Sequence, residues 1–228
     1  MNFVNKDYIK NFFKNKRVVI FGSAPSCLNN DGKTIDEYDL IIRVNNYKIK
    51  GFESHVGTRC DVYYSFFGSS IKKTRENLLE DGVRLCMCKC PDALVVEHNK
   101  MVTWDPKNIG GDFRPIYRRK KNFWFCDTYI PTKEEFMEYF TLLDGHIPTT
   151  GFSCILDLLS CKPAELYITG FDGFKSGRHN VNERWRDKSK LRHDPIGHVP
   201  ELELMLIKAY NKNHKFVRLD KRLRQLCQ

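Results

Sequence analysis

Short apolar runs alternate with longer amphipathic stretches along the chain, and this alternation predicts an α/β fold. The runs are bounded by glycine, aspartate or proline, which is typical of buried parallel strands. The predicted strands are 17–22, 39–44, 61–66, 83–89, 165–170 and 215–219, and the predicted helices are 133–143, 150–161 and 200–213. This order predicts a Rossmann-like, doubly wound, mostly parallel sheet flanked by helices, with ligands at the carboxyl ends of the strands.

The whole chain, 1–228, is predicted to form a single domain with two additional segments, an N-terminal helix within 1–16 and an insertion at 91–125. Hydrophobic residues make up 41% of the 228 residues, which is enough for a folded core. A helix is expected within 1–16, and it either packs on the domain or makes a peripheral, basic contact with a membrane. Segment 91–125 contains two adjacent glycines and the basic run Arg118–Lys121, and it predicts a mobile basic insertion or lid.

Charge and cysteine content limit the partners and the compartment. The net charge of +10 favours an acidic partner, which leaves nucleic acid, an anionic glycan, a nucleotide and a membrane surface open. The nine scattered cysteines are odd in number and do not predict a disulfide framework. The N-terminus also shows no apolar run typical of a signal peptide or a transmembrane anchor. Together, the odd number of scattered cysteines and the N-terminal sequence predict a reducing, cytoplasmic location.

Cys86, Cys88 and Cys90 allow two interpretations. Closely spaced cysteines are candidate zinc ligands, but no CxxC pair occurs in the chain. Their spacing of two residues also places three small thiols on one face of a strand. The spacing favours the packed strand face over a metal site.

Small and polar residues follow the predicted strands where a ligand would bind. Gly22, Ser23 and Ala24 form a turn after the first strand, and such a turn presents backbone N–H groups to phosphate or ribose oxygens. Asn45 and Asn46 follow the second strand as candidate donors to a ligand. A third group, Thr149-Thr150-Gly151, begins a predicted helix, where a threonine caps the helix and the N-terminus attracts anions.

These stretches resemble known motifs in a shared order. The residues from Val18 to Tyr64 resemble the long sialylmotif of the family 29 sialyltransferases through VVIFGS, RVNN and GFESHVGTR. PTTGF at 148–152, followed by ELYITGF at 165–171, resembles the short sialylmotif, and HVPELE at 198–203 resembles the His-x4-Glu motif. The stretches GSAPS, TTG and PIGH also resemble the bacterial family 42 sialyltransferases. Several motifs in the right order are far more specific than any one of them.

The chain departs from both families at several positions. Ser23 stands where both families have an asparagine, and Phe174 and Asn180 stand nearest the phosphate-contacting tyrosines of family 42. Arg17 replaces the first cysteine of the family 29 disulfide, so that Cys161, near the second position, lacks its partner.

The resemblance implies the sialyltransferase variant of the GT-A fold and a CMP-sugar donor site. It implies that His198 is the catalytic general base and that His179 contacts the phosphate. The implied donor-binding residues are Gly22, Ser23, Ala24, Asn45, Asn46, Thr149, Thr150, Gly151, Phe171 and His179. Imidazole titrates near neutral pH, and the helix that follows His198 would help to keep its ring uncharged. His193, the rival base, is flanked by charged residues and is interpreted as a surface or acceptor-side residue.

The predicted reaction needs no metal and no cofactor. An Asp-x-Asp motif is absent from the sequence, which removes the usual ligands of a metal-bound diphosphate and favours CMP donors over UDP or GDP donors. The expected reaction is an inverting displacement that moves sialic acid, or a related keto-acid sugar such as Kdo, to a glycan hydroxyl. The basic runs Arg118–Lys121 and Lys188–Arg192 either hold an acidic donor or an anionic acceptor, or form a solvated face.

Two other function classes are compatible with parts of the sequence. A basic nucleic-acid-binding module would stack bases on Tyr63, Tyr64, Phe66 and Phe67, although the alternation there is more typical of a buried strand end, and no nucleic-acid partner is expected. A methyltransferase-like enzyme would need a glycine-rich GxGxG turn and an acidic residue after the second strand, where RVNN stands instead.

Overall fold

The computed structural model describes residues 3–67, 71–90, 125–176 and 198–227, and in these residues eight strands form one sheet. The strands are β1 Phe3–Val4, β2 Arg17–Phe21, β3 Leu40–Val44, β4 Val62–Ser65, β5 Leu85–Cys88, β6 Asp127–Tyr129, β7 Glu165–Thr169 and β8 Val217–Leu219. Their order is β1-β6-β5-β4-β3-β2-β7-β8, and every pairing is parallel. The predicted doubly wound sheet is confirmed, and it is wholly parallel in the described residues.

Helices connect these strands and cover both faces of the sheet. They are α1 Lys6–Phe13, α2 Gly32–Asp36, α3 Glu53–Val56, α4 Arg75–Glu80, α5 Lys133–Leu142, α6 Thr150–Cys161, α7 Pro200–Asn213 and α8 Lys221–Leu226, with a 3₁₀ helix at Pro25–Asn29. The three long helices predicted from the sequence are present, α5 ending one residue early. The described helices include none with the length and apolar character required to cross a bilayer.

The sheet order reverses beside β2, which lies between β3 and β7. From β2 the chain first builds outward through β3, β4 and β5 and then returns to β7 on the other side. In open parallel sheets such a reversal leaves a crevice at the carboxyl ends of the two diverging strands, because their connections leave on opposite faces. This crevice is where the fold provides room for a ligand.

The alternation of side chains along β2 explains the two-sided core. Val18 and Ile20 pack with α6 and α7, whereas Val19 and Phe21 pack with the residues of α2 and α3 on the opposite face. Period-two alternation sends successive side chains to opposite faces, so a strand covered on both sides is apolar throughout. All four side chains are buried.

The cysteines of β5 form part of this core. Cys86, Cys88 and Cys90 are buried in one hydrophobic cluster, while Leu85 and Met87 belong to the cluster on the other face. The thiols therefore pack as a strand face, which is the interpretation that the sequence favours.

Helix α1 packs on the domain through its apolar side chains. Ile9 and Phe13 are fully buried in the main core, and the Lys6 ammonium donates to the buried carboxylate of Asp157 at 2.8 Å. The predicted insertion at 91–125 lies outside the described residues except for Phe125, and so do the basic runs Arg118–Lys121 and Lys188–Arg192.

Candidate donor site

A cavity of about 1030 Å³ opens at the carboxyl ends of the central strands. Its walls come from the turns after β2, β3 and β7, from the first turn of α6 and from the start of α7. The predicted site residues that line it are Gly22, Ser23, Ala24, Asn45, Asn46, Thr149, Thr150, Gly151, Phe171 and His198. The structure thus brings together every predicted site residue except His179, which lies, like His193, outside the described residues.

The turn after β2 is packed against the turn after β7 so closely that only glycine fits. A Cβ on Gly22 would lie 2.2 Å from the carbonyl oxygen of Gly170. Hydrogen bonds lock the two turns together, from Gly22 N to Thr169 O and from Ala24 N to Gly170 O, both at 2.8 Å. Because the obstacle is backbone, no side-chain movement could accommodate a larger residue at position 22.

Phe171 forms part of the cavity wall against the first turn of α6. A Cβ on Gly151 would lie 2.3 Å from Cε1 of the Phe171 ring. The absence of a side chain at 151 therefore lets the edge of the Phe171 ring lie directly against the helix backbone. The face of such a ring is suited to stacking with a nucleobase.

Asn45 is held with its amide oxygen turned toward the protein. Its φ of 53° is in the left-handed region, where asparagine is favoured over most residues. The Ser65 hydroxyl accepts from Phe67 N at 3.0 Å and donates to Asn45 Oδ1 at 3.2 Å. With its oxygen used in this way, Asn45 has its amide Nδ2 to donate to a ligand.

The N-terminus of α6 is capped by Thr149. Thr149 Oγ1 accepts from Phe152 N at 3.1 Å, as expected of an N-cap threonine. Within the described part of the chain, the amides of Thr150 and Gly151 have no hydrogen-bond acceptor. The beginning of α6 therefore offers two N–H donors and the positive end of its dipole to the cavity.

Glu203 fixes this cap from α7. Its carboxylate accepts from Thr149 N at 2.6 Å and from Thr149 Oγ1 at 2.7 Å. Burial raises the pKa of Glu203 to about 7, opposed by the two Thr149 hydrogen bonds and by the positive charge of Lys89. The sequence presented Glu203 only as the last residue of the His-x4-Glu pattern, and that pattern was the signal for its role.

His198 lies at the cavity wall, two residues before α7 begins. Its Nδ1 is 2.7 Å from the carbonyl oxygen of Ile147. A carbonyl oxygen can only accept, so Nδ1 carries the hydrogen, and the neutral ring then has its basic nitrogen at Nε2. This is the tautomer that a general base acting through Nε2 requires.

The structure bears on two of the alternatives considered for the sequence. Tyr63, Tyr64 and Phe67 are all fully buried, so they present no face on which an extended nucleic acid would stack, and only the half-buried Phe66 lines the cavity. Among the described residues, no three His, Cys, Asp or Glu side chains are grouped as metal ligands would be.

Comparison with known proteins gives a consistent family. The sequence model of glycosyltransferase family 29 (sialyltransferase) matches residues 26–215. No curated protein sequence matches the chain.

Solved sialyltransferase structures share the fold. The sialyltransferase CstII from Campylobacter jejuni, in complex with the substrate analogue CMP-3FNeuAc, is 16% identical with a TM-score of 0.55, and the match covers 90% of this chain and 81% of that chain. A mammalian sialyltransferase in complex with Gal-beta-1-3GalNAc-ortho-nitrophenol is 16% identical with a TM-score of 0.51, and the match covers 92% of this chain and 71% of that one. The predicted sialyltransferase variant of the GT-A fold is confirmed.

Proposed function

The chain belongs to glycosyltransferase family 29, the sialyltransferases, and we propose that it transfers sialic acid, or a related keto-acid sugar such as Kdo, from a CMP-linked donor to a glycan hydroxyl. The observation that carries this proposal is the meeting of the sialylmotif-like segments in one cavity. The turn after β2, the end of β3, the first turn of α6 and His198 come from distant parts of the chain and line the same space.

The nucleotide binds at the switch point beside β2. Asn45 Nδ2 and the amides at the start of α6 donate to ribose and phosphate oxygens, while the Phe171 ring contacts the cytosine. The turn Gly22–Ala24 forms the wall beside them, because the N–H groups of Gly22 and Ala24, expected from the sequence to face the ligand, are used by the turn after β7. Donors that are already oriented stabilise the charge that grows on the leaving phosphate without reorganising during the reaction.

His198 removes the proton from the acceptor hydroxyl through Nε2. The hydrogen bond from Nδ1 to Ile147 O fixes the ring and supports the positive charge that develops when Nε2 becomes protonated. The oxygen thus activated attacks the anomeric carbon as CMP leaves from the opposite face, so the sugar inverts. A monophosphate leaving group carries less charge than a diphosphate, and we propose that the donors of the protein replace a divalent metal.

The acceptor is a glycan, and the cavity wall supports an anionic one. Lys48, Lys50 and Lys72 line the cavity and are exposed. Exposed lysines at the mouth of a site attract negatively charged substrates over distances of about 10 Å at moderate salt.

A nucleotide panel read by thermal shift tests the proposed donor class. CMP, UDP, GDP, NAD and S-adenosylmethionine are compared with and without EDTA. We expect stabilisation by CMP alone, unchanged by the chelator, since a ligand that binds the native state raises the unfolding temperature. Stabilisation by UDP or GDP that needs a divalent metal would overturn the donor assignment, and a CMP shift abolished by EDTA would overturn the metal-independent mechanism.

Transfer assays with CMP-sialic acid and CMP-Kdo then identify the sugar. The donor that is transferred to the glycan with the higher kcat/KM identifies the sugar that the enzyme uses, because kcat/KM measures discrimination between competing substrates. NMR of the product gives the configuration at its anomeric carbon. A configuration opposite to that of the donor indicates inversion, and the same configuration indicates retention.

A further inference from the structure

Lys89 is a buried lysine in the wall of the donor cavity. It follows β5 directly, and only 7% of its surface is exposed. Cys86, Cys88 and Cys90 pack into one cluster and Leu85 and Met87 into the other, so alternation places Lys89 on the face covered by α6 and α7. An isolated charge is rarely buried this deeply unless it has a partner.

The ammonium of Lys89 has no such partner in the described residues. No hydrogen bond or ion pair to its Nζ is formed by residues 3–67, 71–90, 125–176 or 198–227. The carboxylate of Glu203 attracts it, but both oxygens of Glu203 already accept from Thr149. Burial lowers the pKa of Lys89, as expected of a cation that has lost its water and gained no full counter-ion.

The position of Lys89 relates it to the sugar rather than to the nucleoside. Neighbouring strands lie about 4.8 Å apart, so the end of β5 is about 10 Å from the end of β3 and about 15 Å from that of β2. The turns that line the nucleotide site are those after β2, β3 and β7, and the start of α6 donates to the phosphate. Lys89 instead interacts with Glu203, which joins the start of α6 to the helix that follows His198. Lys89 is therefore displaced from the nucleoside toward the end of the cavity where the reaction takes place.

We propose that Lys89 is the counter-ion for the carboxylate of the keto-acid sugar in the bound donor, and that it selects donors whose sugar is acidic. This inference rests on the proposed CMP-sugar function and assigns a specificity residue within it. The carboxylate accepts a charge-assisted hydrogen bond from Nζ, and the lysine, which is already buried in the free protein, gains its counter-ion when the donor binds. A neutral sugar would leave the lysine unpaired in the closed site, which disfavours the wrong donor.

Binding measurements on Lys89→Met isolate this contact. Isothermal titration would compare three ligands, namely CMP, the analogue CMP-3FNeuAc and the methyl ester of that analogue at its carboxyl group. For the wild type, we expect the ester to bind at least about tenfold more weakly than the acid, since a hydrogen bond to a charged group is lost. For Lys89→Met, the acid and the ester should bind equally, and affinity for CMP should equal that of the wild type.

A second variant and a stability measurement separate specificity from structure. Lys73→Met removes one charge from the same cavity wall, but Lys73 already pairs with Asp81 at 2.8 Å. This control should keep the wild-type ratio of acid to ester affinity. Without ligand, Lys89→Met should unfold at a temperature at least as high as the wild type, because it removes an unpaired buried charge.

Each other result overturns the inference. An equal loss of CMP and analogue affinity in Lys89→Met would assign the lysine to the phosphate. An unchanged ratio of acid to ester affinity, with a lower unfolding temperature, would make Lys89 a structural counter-ion of Glu203. Wild-type protein that binds no CMP at all would instead refute the proposed function, and the CMP arm distinguishes that failure from a failure at Lys89.

Discussion

Glu203 holds Thr149 by two hydrogen bonds, to its backbone N–H at 2.6 Å and to its hydroxyl at 2.7 Å. Two residues before Thr149, the Ile147 carbonyl accepts from His198. The segment 147–149 is therefore bound at both ends by residues five positions apart at the start of α7. The spacing of the His-x4-Glu pattern matches this geometry. Within six residues, the chain that enters α7 places the proposed base, His198, against Ile147 and the carboxylate of Glu203 against the cap of α6.

The buried carboxyl of Glu203 makes stability depend on pH. Its pKa is raised from 4.5 to about 7, so the fold favours the protonated form, and the stabilising contribution is complete below about pH 4.5 and lost as the pH rises through 7. The full shift corresponds to about 3 kcal/mol. Glu203→Gln accepts from Thr149 N, donates to Thr149 Oγ1 and does not titrate.

Urea unfolding at about pH 5 and about pH 8 would measure this effect. The loss of unfolding free energy between the two values should be smaller by up to about 3 kcal/mol in Glu203→Gln than in the wild type. The exposed Glu201 of the same first helical turn supplies the control, and Glu201→Gln should follow the wild-type profile. Parallel profiles for wild type and Glu203→Gln would contradict the burial argument.

Gly151→Ala is expected to reduce CMP affinity by displacing Phe171. The new Cβ would lie 2.3 Å from the ring, but the ring can swing away, whereas Gly22→Ala meets a backbone carbonyl at 2.2 Å and should destabilise the whole fold. Overpacking of this kind typically costs about 1–3 kcal/mol.

The double variant Gly151→Ala/Phe171→Ala checks the mechanism of this loss. Removing the ring leaves space for the new methyl group, so adding Phe171→Ala to Gly151→Ala should be less harmful to the unfolding temperature than adding it to the wild type. Effects that simply add would mean that the two positions do not interact.

The sequence predicted the parts of this fold whose signal is local. The apolar runs identified β2, β3, β4, β5, β7 and β8 with ends that differ by one or two residues, because buried parallel strands are apolar throughout. The edge strand β1 and its neighbour β6 escaped prediction, since two- and three-residue strands are too short to show a period. The same holds for the short helices α2, α3, α4 and α8.

Contacts between distant residues were less accessible from the sequence. Thr149 was identified as a candidate cap, but its link to Glu203 joins residues that lie 54 positions apart, and nothing in the local pattern specifies it. Lys89 did leave a signal, because a lysine two residues after Met87 continues the buried face of a strand. A charge in that register is costly unless it has a function or a partner.

Asp157 anchors α1 to the core, and we expect its substitution to lower the stability of the fold strongly. Its fully buried carboxylate accepts from Lys6 at 2.8 Å, from the Tyr64 hydroxyl at 2.8 Å and from the Tyr139 hydroxyl at 2.6 Å. Asp157→Ala leaves these donors without an acceptor and should lower the unfolding free energy by about 3–5 kcal/mol.

The exposed pair of Lys10 and Asp7 on the same helix provides the comparison. Their charged atoms are 3.9 Å apart, and both side chains are solvated. Lys10→Met should change the unfolding free energy by less than about 0.5 kcal/mol. Equal effects of Asp157→Ala and Lys10→Met in urea titrations would show that the buried network does not hold α1.

His198→Asn separates the two functions that the structure gives to the imidazole. The asparagine amide N–H can replace Nδ1–H as the donor to Ile147 O, but the shorter side chain has no counterpart of Nε2. We expect CMP affinity and the unfolding temperature to stay near the wild-type values. Transfer should fall by about 10²- to 10⁴-fold, the usual loss when a general base is removed.

His198→Ala removes the anchor as well as the base. It should therefore lose transfer to the same extent and also lower CMP affinity, because the segment 147–149 is no longer held from α7 on that side. Single-turnover assays of CMP release, with binding measured separately, distinguish the two variants. If His198→Asn transferred sugar at the wild-type rate, the proton would have to leave through another group, and Nε2 of His198 would not be the base.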